Sequence, residues 1–491
     1  MDTTKVTDKE ESEYWQDEYG VKYSVDHKRL LGSEEKLTTY VIPKGTEVIC
    51  DFAFYCESLK SIVIPDTVTH IGDQAFHSCH SLRTIVIPAS VRHIGRSVFD
   101  CGMHIDCRKN KYFAFDCHTL YSTDKTELIA YLGKDESFTI PDMVTHIMDD
   151  AFRECKTLKN IIIPDSVKTI GEGAFDSCVA LQTINIPNSI THLRKWAFCD
   201  CSSLKAITLP DSITHIEDSA FDFCESLQSV NIPKSVTHIG CNPFVGCTAL
   251  NNIRCESKHF IVRDGALYTI NMKRLISCFG DQDSFIIPDT VTHIGKSAFY
   301  SCESLHHVIL PNSVTHIEYE AFDGCNIKSI ELPNSLIHIG DRAFACTPLT
   351  GELIIPNCVK HIGKLAFNHS NYSHIILPDS VTYLGEETFS ECESLQEISI
   401  PGSIACIPKE AFWACHGLKK VVMQEGVKHI GGYAFAFCRD LEEVIIPSSV
   451  TKIGWCAFKG CDSLHTIILP KGKKELFAKQ LSHYKDKIKE A

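Results

Sequence analysis

Histidine and cysteine recur along this chain at fixed distances from proline and phenylalanine, and both side chains can bind metals or react. Eleven histidines stand five residues after the first position of a repeat, which is proline in every case but that of His429, where it is Gln424: His70, His93, His146, His192, His215, His238, His293, His316, His338, His361 and His429. A cysteine follows a repeated phenylalanine by two or three residues in almost every repeat. Imidazoles and thiolates are the ligands that zinc prefers, and a Cys/His pair can act as a nucleophile.

The spacing of these residues does not match any usual catalytic or metal-binding signature. No cysteine pair has the C-x-x-C spacing, and no H-E-x-x-H segment occurs. Gly295-Lys296-Ser297 resembles the end of a P-loop, but Thr290 stands where its leading glycine would be. We therefore expect no catalytic residues, no cofactor and no metal site. A weak metal-binding or pH-sensing histidine row stays open as an alternative.

These residues belong to a repeat of 22 or 23 residues, visible in "FIIPDTVTHIGKSAFYSCESLHHVILPNSVTHI" (Phe285 to Ile317). Sixteen repeats begin at Pro43, Pro65, Pro88, Pro141, Pro164, Pro187, Pro210, Pro233, Pro288, Pro311, Pro333, Pro356, Pro378, Pro401, Gln424 and Pro447. A phenylalanine stands eleven residues after each start, from Phe54 to Phe458. Such a period predicts a solenoid, because a single short repeat cannot bury its own apolar face.

Each repeat predicts one coil of that solenoid. In "LQTINIPNSITHLRKWAFCDC" (Leu181 to Cys201), Ile184 and Ile186 indicate a strand that ends in a Pro-Asn-Ser turn. Ala197, Phe198 and Cys201 have the i, i+1, i+4 spacing of one helical turn. We expect stacked parallel strands on one side, short helical turns on the other, and cysteines such as Cys178, Cys201, Cys224 and Cys302 buried as reduced core thiols.

The repeat pattern I-P-x-S-V-T-x-I-G-x-x-A-F-x-x-C-x-x-L-x-x-I-x-I-P, as in "IPDSVKTIGEGAFDSCVALQTINIP", resembles the BspA-like leucine-rich repeat family of bacterial surface-antigen type. The resemblance spans roughly Tyr23 to Pro470. It implies a β-rich, right-handed leucine-rich-repeat solenoid, curved and rod-like, of about 16 coils. It also implies a binding or adhesion role, since members of that family are mostly binding proteins with varied partners.

Three related segments interrupt or precede the repeats and predict hairpin modules. Tyr121 and Leu128 precede Pro141 with the same offsets by which Tyr268 and Leu275 precede Pro288, and Tyr23 and Leu30 precede Pro43 similarly. These modules either cover the core or present partner-specific loops. We expect an acidic segment with the first module over 1–42, repeat blocks over 43–101, 141–247 and 288–469, hairpin inserts over 102–140 and 248–287, and a capping helix over 470–491.

Composition limits the class of partner. The formal net charge of −14 argues against binding to nucleic acid, which requires clustered cations. The start of the sequence has no apolar segment typical of a secretory signal, and no apolar run approaches about 18 residues. We expect a monomeric cytoplasmic protein that binds another protein and does not insert into membranes. Cell-surface adhesion, after export by a route not visible in the sequence, is the alternative.

The strand residue two positions before each proline is the candidate binding surface, because strand alternation turns it outward. Its polarity is uneven, polar in the second block and mostly apolar in the third, and plain strand propensity is an equally open explanation. The candidates are Val63, Val86, Ile162, Asn185, Thr208, Asn231, Ile309, Glu331, Ile354, Ile376, Ser399, Val422, Ile445 and Ile468.

Overall fold

A computed structural model describes residues 3–490 of the chain as a solenoid of stacked parallel coils that contains almost no helix. The chain divides into two compact units, the N-terminal unit Met1–Ser257 and the C-terminal unit Lys258–Ala491. A single five-residue α-helix, Asp8–Ser12, lies among residues 3–490, and a capping box between Thr7 and Glu10 starts it.

One set of strands, here called the proline-side strands, comes mainly from the segments just before the repeat prolines. The strands stack in parallel within each unit, with isoleucine, valine and leucine alternating inward. In the N-terminal unit they are Thr39–Val41, Ser61–Val63, Thr84–Val86, His104–Asp106, Ser137–Thr139, Asn160–Ile162, Thr183–Ile184, Ala206–Ile207, Ser229–Ile232 and Asn252–Cys255. In the C-terminal unit they are Ser284–Ile286, His307–Ile309, Thr350–Ile354, Asn371–Ile376, Glu397–Ile400, Lys420–Met423, Glu443–Ile445, Thr466–Leu469 and Ile488–Glu490.

A second set of parallel strands, which the sequence did not predict, contains the eleven repeat histidines, here called the histidine column. These histidine-side strands are two residues long, and the first residue is more exposed than the second, although in Val48–Ile49 both are buried. The N-terminal unit has Val48–Ile49, His70–Ile71, His93–Ile94, His146–Ile147, Thr169–Ile170, His192–Leu193, His215–Ile216 and His238–Ile239. The C-terminal unit has His293–Ile294, His316–Ile317, His338–Ile339, His361–Ile362, Tyr383–Leu384, Cys406–Ile407, His429–Ile430 and Lys452–Ile453.

The three hairpin-like segments each contain three antiparallel strands. They are Trp15–Gln16, Lys22–Tyr23 and Arg29–Gly32; Phe113–Asp116, Thr119–Ser122 and Glu127–Tyr131; and Phe260–Arg263, Ala266–Thr269 and Arg274–Cys278. Tyr23 pairs with Leu30, Tyr121 with Leu128 and Tyr268 with Leu275, each beside the same register shift. The third strand of each set then pairs in parallel with the first histidine-side strand after it.

The repeat proline and phenylalanine set the geometry of each coil. The proline carbonyl accepts the backbone N–H three residues later, as Pro210 does from Ile213 at 3.1 Å, so a β-turn separates the two sets of strands. The phenylalanines stack from coil to coil in the core. Neighbouring rings within a run of coils have centroids 4.8 to 6.5 Å apart.

The predicted helical turn around each phenylalanine is wrong. In the coil of Phe198, Trp196 and Asp200 have φ of 56° and 53°, which is incompatible with a right-handed helix. The N–H groups of Trp196, Phe198 and Asp200 donate to carbonyls of Asp218, Ala220 and Asp222 in the next coil. Hydrogen bonds between coils therefore replace the i to i−4 bonds that a helix would make.

The predicted C-terminal capping helix is also wrong. Residues from Ser482 to Lys487 form a short 3₁₀ helix, and Ile488–Glu490 adds a parallel strand to Thr466–Leu469. The strand satisfies backbone groups at the sheet edge, which a helix would leave unpaired. Phe477 and Leu481, two apolar residues of the predicted helix, are nonetheless buried against the core.

Candidate functional site

The candidate surface is the outward row of the proline-side strands. Its apolar members Val63, Val86, Ile162, Ile309, Ile354 and Ile376 are between 47% and 59% exposed, although each has a buried residue on both sides, except that Leu310 after Ile309 is only partly buried. Asn185, Thr208, Glu331 and Ser399 are exposed as well, whereas Asn231, Val422, Ile445 and Ile468 are half-buried. Thirteen of the fourteen predicted residues lie in a proline-side strand or directly after its end, whereas Glu331 belongs to a coil without a strand on this side; none of the fourteen is fully buried.

Parallel pairing places the apolar members of this row next to each other in short runs. Ile354 pairs with Ile376, and Val422, Ile445 and Ile468 are consecutive partners. Two exposed residues were missed by the sequence analysis. Val41 pairs with Val63 and Ile286 with Ile309, and they are 67% and 69% exposed. Both stand two residues before a repeat proline, which is the criterion that selected the fourteen candidates, so the sequence contained the signal for them.

Two polar members of the row have a structural role. The Asn185 side chain accepts from the Ile163 N–H at 3.0 Å and donates to the Ile163 carbonyl at 2.8 Å. Asn231 makes the same pair of bonds with the Leu209 backbone, both at 2.8 Å. These amides satisfy the backbone of the preceding coil, so their polar groups are not free to recognise a partner.

The histidine column forms three rows on the histidine-side strands. Cα partners are His70 and His93; His192, His215 and His238; and His293, His316, His338 and His361. Neighbouring ring centroids are 4.3 to 5.8 Å apart. His146 pairs with Glu127 and Thr169, and His429 with Cys406 and Lys452, so these two stand apart from other histidines.

A threonine before the histidine places its hydroxyl within hydrogen-bond distance of one ring nitrogen. Thr214 Oγ1 donates to the Thr191 carbonyl at 3.1 Å and lies 2.9 Å from His215 Nδ1. When the hydroxyl proton points to the Thr191 carbonyl, its oxygen can accept from Nδ1–H, and Nε2 then carries the lone pair. Thr292 with His293 and Thr315 with His316 repeat this arrangement. The recurring Thr-His dipeptide was the sequence signal for it.

This geometry is poorly suited to a strong metal site. A tetrahedral zinc ion needs three or four ligands that converge at about 2.0–2.1 Å, whereas stacked imidazoles point their nitrogens in parallel. His293 and His316 are inclined by only 3°. Among residues 3–490, no group of three or more histidine, cysteine, aspartate or glutamate side chains could hold a metal ion.

Stacking makes several histidines harder to protonate. Burial, and then the neighbouring imidazole, lowers the pKa of His70, His215, His293 and His338. Nearby charges modulate this effect. Glu217, Glu318 and Asp341 oppose the lowering at His215, His293 and His338, whereas Arg92 and Arg274 add to it at His70 and His293.

We expect the folded state to lose stability as the pH falls below about 6.5, the ordinary histidine pKa. Below that pH the unfolded chain binds more protons than the stacked rows do, so protonation favours unfolding. Urea unfolding at pH 7.5 and 5.5 measures the difference, and replacing His215, His293 and His338 by Asn should reduce it.

Burial raises the pKa of Asp222 to about 7, and this carboxyl stabilises the folded state as the pH falls. The quantity to compare is therefore the change in unfolding free energy between the two pH values, in the variants and in the unmodified chain. An exposed histidine outside the rows, changed by His118→Asn, provides the control; an equal pH dependence in all three proteins would contradict the expectation.

The cysteines that follow the repeat phenylalanines, here called the cysteine column, link consecutive coils through their thiols. Cys201 Sγ donates to the Phe175 carbonyl at 3.2 Å, and Cys224 Sγ to the Phe198 carbonyl at 3.1 Å. The thiol supplies a donor for a carbonyl in the core, and Thr347 does the same for Phe322 at 2.9 Å. Cys178, Cys201 and Cys224 are fully buried, as predicted, but Cys302 keeps partial exposure. Within residues 3–490 every cysteine is a free thiol.

Comparison with known families gives one match. A family model described as a BspA type leucine-rich repeat region of six copies matches residues 30–115, 130–251, 268–382 and 360–484, which is most of the chain. No curated protein matches the sequence.

Several solved structures of bacterial repeat proteins are similar to this chain. A leucine-rich repeat protein from Bacteroides ovatus is 24% identical with a TM-score of 0.45, covering 77% of this chain and 97% of its own. One from Eubacterium ventriosum is 21% identical with a TM-score of 0.49, covering 71% and 94%. A leucine-rich cell surface protein from Faecalibacterium prausnitzii is 24% identical with a TM-score of 0.32, covering 96% of both chains.

Proposed function

The chain belongs to the BspA-type leucine-rich repeat family, and from this premise we propose that it is a non-catalytic scaffold that binds a protein partner through the proline-side strands. Repeat proteins of this kind typically present extended binding surfaces made of stacked strands or helices. Across residues 3–490 no helix is long and apolar enough to cross a membrane. Binding by a folded surface is the role that the family and the stacked strands support.

The observation that carries this proposal is the run of exposed β-branched residues on rigid strands. In the C-terminal unit, Ile286 and Ile309 form one adjacent pair and Ile354 and Ile376 another. Each of the four is between 47% and 69% exposed. Covering such side chains removes apolar surface from water at about 25 cal/mol per Å². Since paired strands already hold their backbone, little further ordering is required on binding.

Charged side chains beside the apolar residues would limit the choice of partner. Lys420 lies in the same row of strands as Val422 and makes an ion pair with Glu443, its Nζ 2.8 Å from Oε1. Lys159 pairs similarly with Glu136 at 2.7 Å, near Ile162. Both pairs are exposed and contribute little to stability. A polar border around an apolar centre is the usual anatomy of a protein interface.

We expect Ile354→Lys, Ile376→Lys and Ile445→Lys together to weaken partner binding at least about 100-fold, because buried unpaired charges are costly in an interface. The partner is first isolated by affinity capture on the unmodified full chain. Its dissociation constant is then measured for each variant.

A matched control introduces three lysines elsewhere in the same unit. Tyr319, Tyr383 and Trp455 are exposed large side chains outside the proline-side strands. Changing all three to Lys adds the same charge at exposed positions outside the proposed surface. Equal thermal unfolding midpoints for the two triple variants establish that both are folded. Binding that is unchanged in the isoleucine variant, or equally weakened in the control, would refute the proposed surface.

A further inference from the structure

Two cysteines meet where the 102–140 segment interrupts the repeats of the N-terminal unit. Cys101 belongs to the coil that begins at Pro88, and Cys155 to the coil that begins at Pro141. Their sulfur atoms lie 3.7 Å apart, although 54 positions separate them in sequence. Cys101 Sγ also lies 3.7 Å from the Glu154 carbonyl. The interruption therefore leaves the thiols of two successive coils in contact.

This sulfur contact lies beside a cavity, unlike the thiols deeper in the column. The cavity has a volume of about 330 Å³, and its wall includes Cys101, Lys134, Asp150 and Arg153. Cys101 is half-buried, whereas Cys155 is only 1% exposed. A small reagent that enters the cavity would reach Cys101 first and would find Cys155 behind it.

The contact with Cys155 shifts the pKa of the Cys101 thiol downward. The hydrogen bond with Cys155 lowers this pKa, burial and the Asp100 and Glu154 carboxylates oppose the lowering, and the Lys134 ammonium adds to it. The same hydrogen bond raises the pKa of Cys155, so Cys155 keeps the shared proton. Lys134 packs against Gly102, next in the chain to Cys101. A thiolate in a partly exposed position is the reactive form of cysteine.

We propose that Cys101 and Cys155 are a peroxide-reactive thiol pair that closes into a disulfide across the 102–140 segment. The Cys101 thiol loses its proton, the thiolate attacks one oxygen of hydrogen peroxide, an S–O bond forms, and the O–O bond breaks to release hydroxide, which takes up that proton and becomes water. Cys101 is then a sulfenic acid, oxidised by two electrons. The Cys155 sulfur attacks that sulfur, the S–S bond forms, the S–O bond breaks, and the departing hydroxide takes the thiol proton as water. In sum, two thiols and one hydrogen peroxide give one disulfide and two water molecules.

The disulfide would tie the coil before the insert to the coil after it. Cross-linking positions this far apart restricts the unfolded chain, so the oxidised protein should unfold at a higher temperature than the reduced one. Such a bond would make the stability of this junction respond to peroxide, independently of any partner on the proline-side strands.

The test uses the full chain with its four exposed cysteines, Cys117, Cys346, Cys358 and Cys406, changed to Ser. Equimolar hydrogen peroxide is added, and peptide mapping by mass spectrometry locates the products. We expect a Cys101–Cys155 linked peptide that dithiothreitol removes. The thermal unfolding midpoint should rise on oxidation and return on reduction.

Two single variants separate the roles of the two sulfurs. Cys155→Ser should accumulate a sulfenic acid at Cys101 that dimedone traps, whereas Cys101→Ser should leave Cys155 unoxidised. Cys201 and Cys224, both fully buried in the same unit, are the internal control and should stay reduced. The proposal is overturned if no linked peptide forms at a peroxide concentration that oxidises exposed thiols of the unmodified chain. It is also overturned if dimedone traps nothing in Cys155→Ser, or if Cys201 and Cys224 cross-link as fast as Cys101 and Cys155.

Discussion

Phe198→Ala is expected to lower the free energy of unfolding by about 3–5 kcal/mol. Phe198 is fully buried, and its ring stacks between Phe175 at 5.3 Å and Phe221 at 5.5 Å. Removing the ring takes away apolar contacts on both sides and leaves a cavity that the rigid neighbouring coils cannot fill. Urea denaturation followed by circular dichroism gives the change.

The control for this prediction is an exposed phenylalanine in the next coil, two residues after the core residue Phe221. Phe223 is 41% exposed, so Phe223→Ala should change the unfolding free energy by less than about 1 kcal/mol. Hydrogen exchange should show the loss of protection in Phe198→Ala concentrated in the adjoining coils, because each coil contacts only its neighbours. A change below about 0.5 kcal/mol in Phe198→Ala would show that the stacked register is wrong.

The buried cysteines are expected to react with a thiol reagent at least about a thousand times more slowly in the native protein than exposed cysteines do. Cys201, Cys224 and Cys415 are fully buried, and burial raises the pKa of each thiol far above its ordinary value. Reaction then requires an opening of the core, and native domains are stable by about 5–15 kcal/mol. Each 1.4 kcal/mol of opening energy slows labelling about tenfold.

Iodoacetamide labelling followed by peptide mass spectrometry measures these rates residue by residue. Cys346 and Cys406 are exposed in the same chain and provide the reference rate. In denaturant the buried and exposed thiols should react alike. If Cys201 or Cys415 reacts within about tenfold of Cys346 in the native state, the cysteine column does not lie in a closed core.

The repeat register and the direction of the side chains could be read from the sequence. The period of 22 or 23 residues requires stacking, and the alternation around each proline specifies which strand residues face inward. Ile62 is buried and Val63 exposed for that reason alone. The three hairpin-like segments were recognisable because Tyr121 and Leu128 have the same spacing as Tyr268 and Leu275.

Features that depend on the neighbouring coil could not be read in the same way. The spacing of Ala197, Phe198 and Cys201 fits a helical turn, but the carbonyls of the next coil bind the N–H groups that a helix would use. The outward direction of Asn185 was predictable, yet its bonds to the Ile163 backbone were not. Likewise, only the folded chain brings Cys101 to Cys155, because strands of the segment between them pair with the coils before and after it. Local pattern determines which way a side chain points, whereas its partners depend on backbone groups that a single repeat does not contain.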